Sequence, residues 1–429
     1  MPLSKKYLFF VLALAFVLRL SLIFSAYHGD LNNNISWGGI ALQRGLNGLY
    51  DKIPTGGWPY SQPNQPPLYI LMFTALSGIW KVVYALALNL NDSFRFFPSA
   101  FIWFWEQRGM TLLVKLPSIF ADLCIGWMIY RYIIHKTNKS RLAVLLSAIW
   151  LFNPLTWYNS AVWGQTDAIV NLFGLLAVFA LLNNNLLRFA LFFTLSFLFK
   201  ASLAVFMPVL GMVAIMQKHK LNSWLKAIIM SLATVITIGI WFHPYSDFPM
   251  WFVKLYQDRI LPGEIGFLTA NAFNFWWLIS PGRVLDSTQF LGISARTYGL
   301  MIFLMLVILA IYYLRKSLIP KNIFLLLAMS SLISFLFMTR IHPRYLYPFF
   351  PYATVTLAFL PTLITPYIIL SLTHLANIYY LFWAPSFTSL ENLYKNMLFM
   401  NIIAVINLLV FVFLFIKLNV LKLKRYNRG

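Results

Sequence analysis

Apolar runs about as long as a bilayer is thick recur along the chain, from Tyr7 to the C-terminus. In hydrocarbon the backbone has no water to bond to, so each run must fold as a helix that satisfies its own backbone groups. With about 20 residues for one crossing, the runs predict spans at roughly residues 7–26, 111–134, 141–160, 168–183, 187–201, 203–217, 224–243, 295–314, 322–339, 348–362, 365–383 and 397–419. The pattern therefore predicts an all-α polytopic membrane protein with about 12 transmembrane helices.

The charges support this topology. On these spans the basic clusters fall in short loops or tails on one side, which the positive-inside rule assigns to the cytoplasm together with both termini. Ten of the eleven acidic residues fall on the opposite side, and the other, Asp122, lies within a span. The basic clusters are Lys5 and Lys6; Lys136, Lys139 and Arg141; Lys218, Lys220 and Lys226; Arg315, Lys316 and Lys321; and Lys422, Lys424, Arg425 and Arg428. The net charge of +22 thus indicates orientation and contact with anionic membrane lipids, and we expect no nucleic-acid partner.

Two longer segments, residues 27–110 and 244–294, form the extracytoplasmic loop regions. Residues 68–90 are apolar, but an ordinary crossing there would reverse every later loop and export the basic clusters. We therefore expect a helix that lies on or dips into the outer face, beside further interfacial helices. The tryptophans that favour this are Trp37, Trp58, Trp80, Trp103, Trp105, Trp251, Trp276 and Trp277. With 60% hydrophobic and 10% charged residues, the chain is expected to form one transmembrane domain over residues 1–429.

The segment between Leu187 and Gln217 departs from this regular pattern. Its apolar runs are short for full crossings, and Lys200 followed by Pro208 indicates two broken or tilted helices. The only cysteine, Cys124, excludes an intramolecular disulfide and a cysteine-based metal site.

Asp30 follows the first span, in the sequence His28-Gly29-Asp30, and three asparagines occupy residues 32–34 shortly after it. A carboxylate at an apolar rim can accept a proton from a sugar hydroxyl, because partial desolvation raises its basicity. The structural alternative is that Asp30 only caps the following helix. Residues 64–69, Asn-Gln-Pro-Pro-Leu-Tyr, are by themselves only a helix start.

Aromatic, amide and acidic side chains crowd the sequence around Trp163, Gln165 and Asp167. Asn271 and Asn274 repeat this chemistry in the second outer region. Such groups hold sugars, although an interfacial aromatic belt also supplies aromatics. We therefore treat these five residues as candidate sugar or acceptor ligands.

Arg340, His342 and Arg344, with Tyr345 beside them, form a dense basic cluster at the outer end of a predicted span. Guanidinium groups present a fork of donors that matches phosphate oxygens, so the cluster suits a lipid phosphate. The alternative is snorkelling to the interface. Asp122, inside the bilayer, is expected to have an ionic partner, for which Arg19 is the candidate.

In chain order, these segments resemble the GT-C superfamily of polyprenyl-phosphate-sugar-dependent glycosyltransferases. The resemblance is closest to bacterial proteins related to the GPI-anchor mannosyltransferases and more distant to the dolichol-linked glucosyltransferases. It extends over most of the chain. The segments that carry it are Asp30, Pro66-Pro67-Leu68, Lys115-Leu116-Pro117-Ser118, Trp163-Gly164-Gln165-Thr166-Asp167, Asn271-Ala272-Phe273-Asn274-Phe275-Trp276 and His342-Pro343-Arg344-Tyr345.

The resemblance implies an inverting hexosyltransferase, mannosyltransferase-like, that moves mannose or glucose from a polyprenyl phosphate to a hydroxyl of a glycan, lipid or protein. Asp30 would be the general base. Arg344 and His342, with Arg340, would hold the donor phosphate, and the candidate sugar ligands, with Tyr345, would position sugar. Related proteins often have a glutamate where this chain has Pro343, which leaves the role of that acid unfilled.

No cofactor or metal is expected, because no compact group of Asp and His side chains demands one. The alternative is that Asp30 and Asp167 hold a divalent metal for a pyrophosphate donor. Competing functions are a polysaccharide polymerase and a lipid-linked glycan flippase or transporter, although a transporter would place its polar groups near the midplane. The composition is typical of a bacterial protein, which predicts the cytoplasmic membrane with the site on its outer side.

Overall fold

The computed structural model describes residues 3–52, 60–94, 96–261, 265–314 and 319–426. Trp58, Arg315, Lys316 and Arg428, which carried part of the topology argument, lie outside these ranges. The described chain is almost entirely helical, with one two-stranded antiparallel hairpin, β1 Gln289–Phe290 and β2 Ile293–Ser294. The all-α class predicted from the apolar runs is confirmed.

The chain before this hairpin forms fourteen α-helices within the described ranges. They are α1 Leu3–Leu22, α2 Asp30–Arg44, α3 Leu49–Lys52, α4 Pro67–Ser93, α5 Ser99–Phe104, α6 Met110–Thr137, α7 Ser140–Leu151, α8 Pro154–Trp157, α9 Asp167–Leu182, α10 Leu186–Phe199, α11 Met207–Met216, α12 Leu221–Gly239, α13 Phe248–Leu255 and α14 Phe275–Ile279. Helical segments of other pitch join some of them. These are the π-helices Trp105–Gly109, Tyr158–Trp163 and Tyr256–Ile260 and the 3₁₀ helix Ala201–Phe206.

The C-terminal part contributes six further α-helices. They are α15 Ala295–Leu314, α16 Pro320–Phe337, α17 Phe349–Leu357, α18 Ile364–Phe382, α19 Thr388–Leu393 and α20 Met397–Tyr426, with the 3₁₀ helices Pro343–Leu346 and Pro361–Leu363 between them. Proline and asparagine set several boundaries. Pro67 starts α4 without losing a needed N–H, and Asn138 ends α6 in the left-handed conformation.

Six helical segments of the described chain are long and apolar enough to cross a membrane. They are Pro67–Ser93, Ser99–Thr137, Leu221–Gly239, Ala295–Leu314, Pro320–Phe337 and Met397–Leu418. The count of about 12 is not confirmed, because the predicted spans from 141 to 217 form helices of 10–17 residues. The span predicted to begin at 111 begins instead at Ser99, since the π-helix Trp105–Gly109 joins α5 to α6 without a break.

Helix α4 covers the apolar stretch that we expected on the outer face. It is a continuous helix of 27 residues, so its length and apolarity also fit a full crossing. It packs along α2, and its opposite side exposes large apolar residues such as Val82 and Leu86. Its placement at the outer face stays a prediction.

Helix α16 is the most enclosed of the long helices, with α15, α17 and α20 packed against it. Around it, α6 packs on α7 and α9, and α10 packs on α9 and α12. The outward faces remain apolar, as at Ile229 of α12 and Met305 of α15. Such faces favour contact with lipid over contact with water.

The short helices bring several chain ends to one level of the bundle. Lys115 helps to fix this level, because its Nζ donates to the carbonyl oxygens of Ile23, Ala26 and Val162 at 2.8–2.9 Å. The end of α1 and the π-helix Tyr158–Trp163 are thereby tied to α6. As expected for Lys200, the chain breaks there, since this residue is extended between α10 and a 3₁₀ helix.

Candidate active site

A cavity of about 700 Å³ lies at this level of the bundle. The start of α2, residues 64–69, Gln165, the chain after α10, the start of α15 and residues 338–345 all contribute to its lining. This volume is in the range of sites that hold a small-molecule ligand. Its ionisable lining is mainly cationic: the basic side chains are Lys200, Arg296, Arg340 and Arg344, and the carboxylate is Asp30.

Asp30, Gln165 and Arg344 meet in this cavity, although 135 and 314 positions of sequence separate the other two from Asp30. The amide nitrogen of Gln165 donates to Asp30 Oδ2 at 2.8 Å. Arg344 Nη1 lies 3.5 Å from the same oxygen and also donates to the side-chain oxygen of Gln165. The predicted base, Asp30, and the predicted phosphate-binding residue, Arg344, are therefore neighbours, and the side-chain amide of Gln165 joins them.

Local backbone geometry places Gln165 there. Gly164 ends the π-helix in the left-handed region with φ of 84°, and its N–H and that of Gln165 both bond to the carbonyl of Asn159. A Cβ on Gly164 would lie 2.9 Å from Leu31 and 3.1 Å from Lys115. Both the φ angle and the space therefore require glycine. Short π-helical segments of this kind occur often at functional sites.

Arg344 is a mostly buried cation whose donors are only partly used. Its Nη2 has no hydrogen-bond partner within the described residues and, unlike the enclosed Nε, is not among the fully enclosed unpaired atoms. The guanidinium lies 5.9 Å from the ring of Trp163 and 6.0 Å from that of Tyr345. Burial disfavours the charge, but the carboxylates of Asp167 and Asp30 outweigh it and raise the pKa of Arg344. The side chain is thus charged and has hydrogen-bonding capacity left for an anion.

His342 is a neutral neighbour of Arg344. Its Nδ1 accepts the backbone N–H of Arg344 at 3.4 Å and so caps the 3₁₀ helix Pro343–Leu346. A backbone N–H can only donate, so Nδ1 carries no proton and the other ring nitrogen carries it. Burial, together with the charge of Arg344, lowers the pKa of His342 well below its usual range. The residue can offer one neutral donor to a phosphate but no charge.

The same argument applies to His28. Its Nδ1 accepts the backbone N–H of Asp30 at 3.0 Å, so its approach to the Asp30 carboxylate at 3.4 Å is not an ion pair of a charged imidazole. Burial lowers the pKa of His28, and the carboxylate of Asp30 opposes only part of this. Among the ion pairs found for Asp30, the charged partner is Arg344.

Asp167 lies behind the cavity wall, where its Oδ1 is 2.7 Å from Lys200 Nζ. Its other oxygen accepts from the Asn159 amide at 3.3 Å. Lys200 itself lines the cavity, with its ammonium 5.7 Å from the Tyr345 ring. Sequence reasoning treated Lys200 only as a helix break. A lysine at the outer end of an apolar run was the available signal that it serves the site.

Arg340 also lines the cavity, but its guanidinium is bound by a carboxylate outside the lining. Its Nε and Nη2 bond to the two oxygens of Asp286 at 2.6 and 3.0 Å, and Thr339 adds a third donor to that carboxylate. This forked pair raises the pKa of Arg340. The backbone of residue 340 further bonds to Phe267. Arg340 therefore attaches the segment that contains Phe267 and Asp286 to the cavity rim.

Besides Asp167, three further predicted sugar ligands lie away from the cavity lining. Asn274 is fully buried: its oxygen caps α14 and its amide donates to the carbonyl of Phe335. The backbone oxygen of Asn271 accepts from Asn377. Trp163 is fully enclosed, between Phe382 and the imidazoles of His28 and His342. Of these three residues, Trp163 packs directly against lining side chains, those of His28 and His342.

Sequence reasoning missed one wall of the cavity. It is formed by α2 and residues 64–69, and the side chains there are Asn33, Asn34, Trp37, Asn64, Gln65 and Tyr69. The asparagine run was noted only as following Asp30, and the Asn-Gln-Pro-Pro segment only as a helix start. Only packing of α2 on α4 brings the two segments together.

Among the described residues, no group of three or more His, Cys, Asp and Glu side chains could hold a metal ion. Asp30 and Asp167, the alternative metal ligands, are each paired with a different cation. Comparison with known proteins gives no matching family model and no match among curated proteins. The chain is thus an all-α protein with helices suited to a membrane and a cationic cavity at one end of its bundle.

Proposed function

We propose that the cavity is the active site of an inverting, GT-C-like hexosyltransferase. It transfers mannose or glucose from a polyprenyl phosphate to an acceptor hydroxyl at the extracytoplasmic face of the membrane. One observation carries the proposal: a part-exposed carboxylate, Asp30, stands 3.5 Å from an arginine, Arg344, whose Nη2 has no hydrogen-bond partner in the described chain and is not fully enclosed. A base and an anion ligand therefore share one cavity.

In the proposed step, Asp30 takes the proton of the acceptor hydroxyl as its oxygen attacks the anomeric carbon. The new glycosidic bond forms while the bond from that carbon to the phosphate oxygen breaks. The bonding electron pair leaves with the lipid phosphate, whose added charge the Arg344 guanidinium stabilises. Attack opposite the leaving group inverts the configuration of the sugar.

The contacts of Arg344 fit this order of events. Its Nη1 is shared between Asp30 and Gln165. A donor phosphate would compete for that guanidinium and weaken its hold on Asp30, which makes the carboxylate a better base. Gln165 would keep the carboxylate in place through its 2.8 Å bond. Lys200 and the His342 imidazole would supply further donors to the phosphate.

A second candidate is a polysaccharide polymerase that uses a diphosphate-linked glycan. The observation that favours it is Arg296, an exposed arginine of the cavity lining for whose side chain no hydrogen bond or ion pair is found in the described chain. With Arg344, Lys200 and Arg340, it brings the cationic lining to more than one phosphate needs.

The test is sugar release from radiolabelled polyprenyl-phosphate mannose and polyprenyl-phosphate glucose by the purified protein in detergent. A total membrane lipid and glycan extract serves as acceptor. We expect transfer or slow hydrolysis by the wild type and a loss of about 10²–10⁴-fold in Asp30→Asn, the usual contribution of a general base.

Asp247→Asn is the matched control, since this carboxylate is exposed and pairs with His243. It is expected to keep full activity. Full activity in Asp30→Asn would remove the base assignment. No turnover of either monophosphate, together with binding of a diphosphate-linked glycan, would favour the polymerase.

A further inference from the structure

One part of the cavity wall, here called the amide wall, is formed by residues 33–37 of α2 and residues 64–69 and contains no charged side chain. Its members are Asn33, Asn34, Trp37, Asn64, Gln65 and Tyr69. All the lining cations come from other segments of the chain. Asp30, the first residue of α2, stands where the amide wall meets Arg344.

The hydrogen bonds of the amide wall fix which polar atoms remain available. Asn33 Oδ1 accepts the backbone N–H of Ser61 at 2.9 Å, which identifies that atom as the oxygen because a backbone N–H can only donate. Asn34 Oδ1 accepts from the Tyr69 hydroxyl at 2.8 Å. Each of the two side chains is thereby fixed through its oxygen. The NH₂ group of each remains available for a further hydrogen bond.

Asn64 and Gln65 are joined to each other in a similar way. Gln65 Nε2 donates to Asn64 Oδ1 at 3.1 Å. The Asn64 NH₂ and the Gln65 side-chain oxygen then remain. None of these four remaining groups has a partner within the described residues, and none is among the fully enclosed unpaired atoms. The wall therefore presents three fixed amide donors and one acceptor at positions that a ligand can reach.

Trp37 adds an apolar surface to these polar groups. Its ring packs edge-on against Tyr69, and its Nε1 is fixed by a 2.7 Å bond to the carbonyl of Ser61. Fixed amides beside an aromatic ring suit a carbohydrate, whose hydroxyls both donate and accept and whose C–H face is apolar. An acidic sugar would find no cation on this wall and would face the carboxylate of Asp30.

We infer that the amide wall is the acceptor subsite and that it binds a neutral glycan. This rests on the proposed function, since it places the acceptor hydroxyl beside Asp30. The donor phosphate occupies the cationic segments, and the sugar that receives the hexose lies against Asn33, Asn34 and Asn64. The acceptor class is thereby narrowed to uncharged carbohydrate.

The test uses cellobiose and cellobiouronic acid, two disaccharides that differ in one CH₂OH and carboxylate group. Saturation-transfer NMR with the purified full-length protein measures binding without a donor, and transfer assays with polyprenyl-phosphate glucose measure KM and kcat. We expect cellobiose to bind and cellobiouronic acid to bind at least about tenfold more weakly.

Asn33→Asp is the decisive variant. It keeps the oxygen that accepts from Ser61 and removes the amide donor, so we expect about tenfold weaker cellobiose binding and a rise in KM rather than a fall in kcat. Asn32→Asp is the matched control, because Asn32 lies on the same helix outside the lining and also uses its oxygen, which accepts from Tyr27. Asn64→Ala, at the partly exposed end of the wall, provides a second variant.

Equal binding of the two disaccharides, or equal effects of Asn33→Asp and Asn32→Asp, would overturn the inference. Failure of the proposed function has a different signature. In that case neither monophosphate donor is hydrolysed or transferred, whereas the NMR measurement still decides whether the amide wall binds neutral sugar.

Discussion

Two arginine–aspartate pairs bridge distant parts of this chain, and they differ in how completely their hydrogen bonds are used. Arg19 and Asp122 are fully buried between α1 and α6, with Nε 3.2 Å from Oδ2. Arg19 also donates to two backbone carbonyls and to Thr156, while Asp122 accepts from Ser160 and Tyr347. This pair confirms the partner predicted for Asp122.

The pair in the cavity is looser. Arg344 and Asp30 are 3.5 Å apart, their side chains are 15% and 28% exposed, and the Arg344 Nη2 has no hydrogen-bond partner in the described chain. The Arg19 pair is fully buried and bonded to the protein on every side-chain nitrogen, whereas the cavity pair keeps a donor that a ligand can reach. The difference separates an ion pair that holds helices together from one arranged to bind and react, although the residue types are the same.

The largest expected effect is on stability and concerns Asp122→Asn. The substitution leaves Arg19 charged in a fully buried site, so we expect a loss of about 3–5 kcal/mol in the free energy of unfolding. Asp30→Asn should cost less than about 1 kcal/mol, because its pair is partly exposed. Denaturant unfolding in detergent measures both. Equal losses would abolish the distinction between the two pairs.

The same arginine-to-lysine change at the two sites gives the next largest effect. Lysine keeps the charge but loses the planar fork, so Arg344→Lys should lower kcat/KM for a polyprenyl-phosphate donor by about 10–100-fold with little change in stability. Arg19→Lys should instead destabilise the protein, since one ammonium cannot reach all four partners of that side chain. A destabilised but fully active Arg344→Lys would reverse the assignment.

The smallest effect is the contribution of one cavity residue, His342, to the pH dependence of stability. Burial lowers the folded pKa of His342 below the ordinary 6.5, so below this pH the unfolded chain binds a proton that the folded chain does not. Stability should therefore fall as the pH decreases, by on the order of 1 kcal/mol from pH 7.5 to 5.5 for this residue. Other titratable and charged groups also affect the pKa of the His342 imidazole. They are Arg344, Lys200, Asp30 and His28.

His342→Asn tests this expectation by comparing unfolding at both pH values. An asparagine oxygen can still accept the N–H of Arg344, so the variant should fold and lose this part of the pH dependence. If the free energy of unfolding changes with pH as much in the variant as in the wild type, a group other than His342 causes this pH dependence.

The sequence predicted the helical class, because an apolar run in lipid has one way to satisfy its backbone. It could not count the crossings: α9 and α10 are only 16 and 14 residues long, and their packing, not their apolarity, decides where they end. Likewise, it marked Asp30, Gln165, His342 and Arg344 as chemistry-bearing residues, and the structure brings these four into one cavity.

Composition also marked Asn274 and Trp163, which the structure buries behind the cavity. A sequence states which side chains can hydrogen-bond, but only the fold decides which of their atoms are already used. The oxygen and the nitrogen of the Asn274 amide are both hydrogen-bonded, to α14 and α16 respectively. In Asn33 the oxygen bonds to Ser61, and the NH₂ group remains available in the cavity. Local hydrophobicity thus determined the helical character of this protein. The site was decided by the long-range packing of α2, α4 and the ends of α9, α10 and α16, because hydrogen-bond partners hundreds of residues apart meet only in three dimensions.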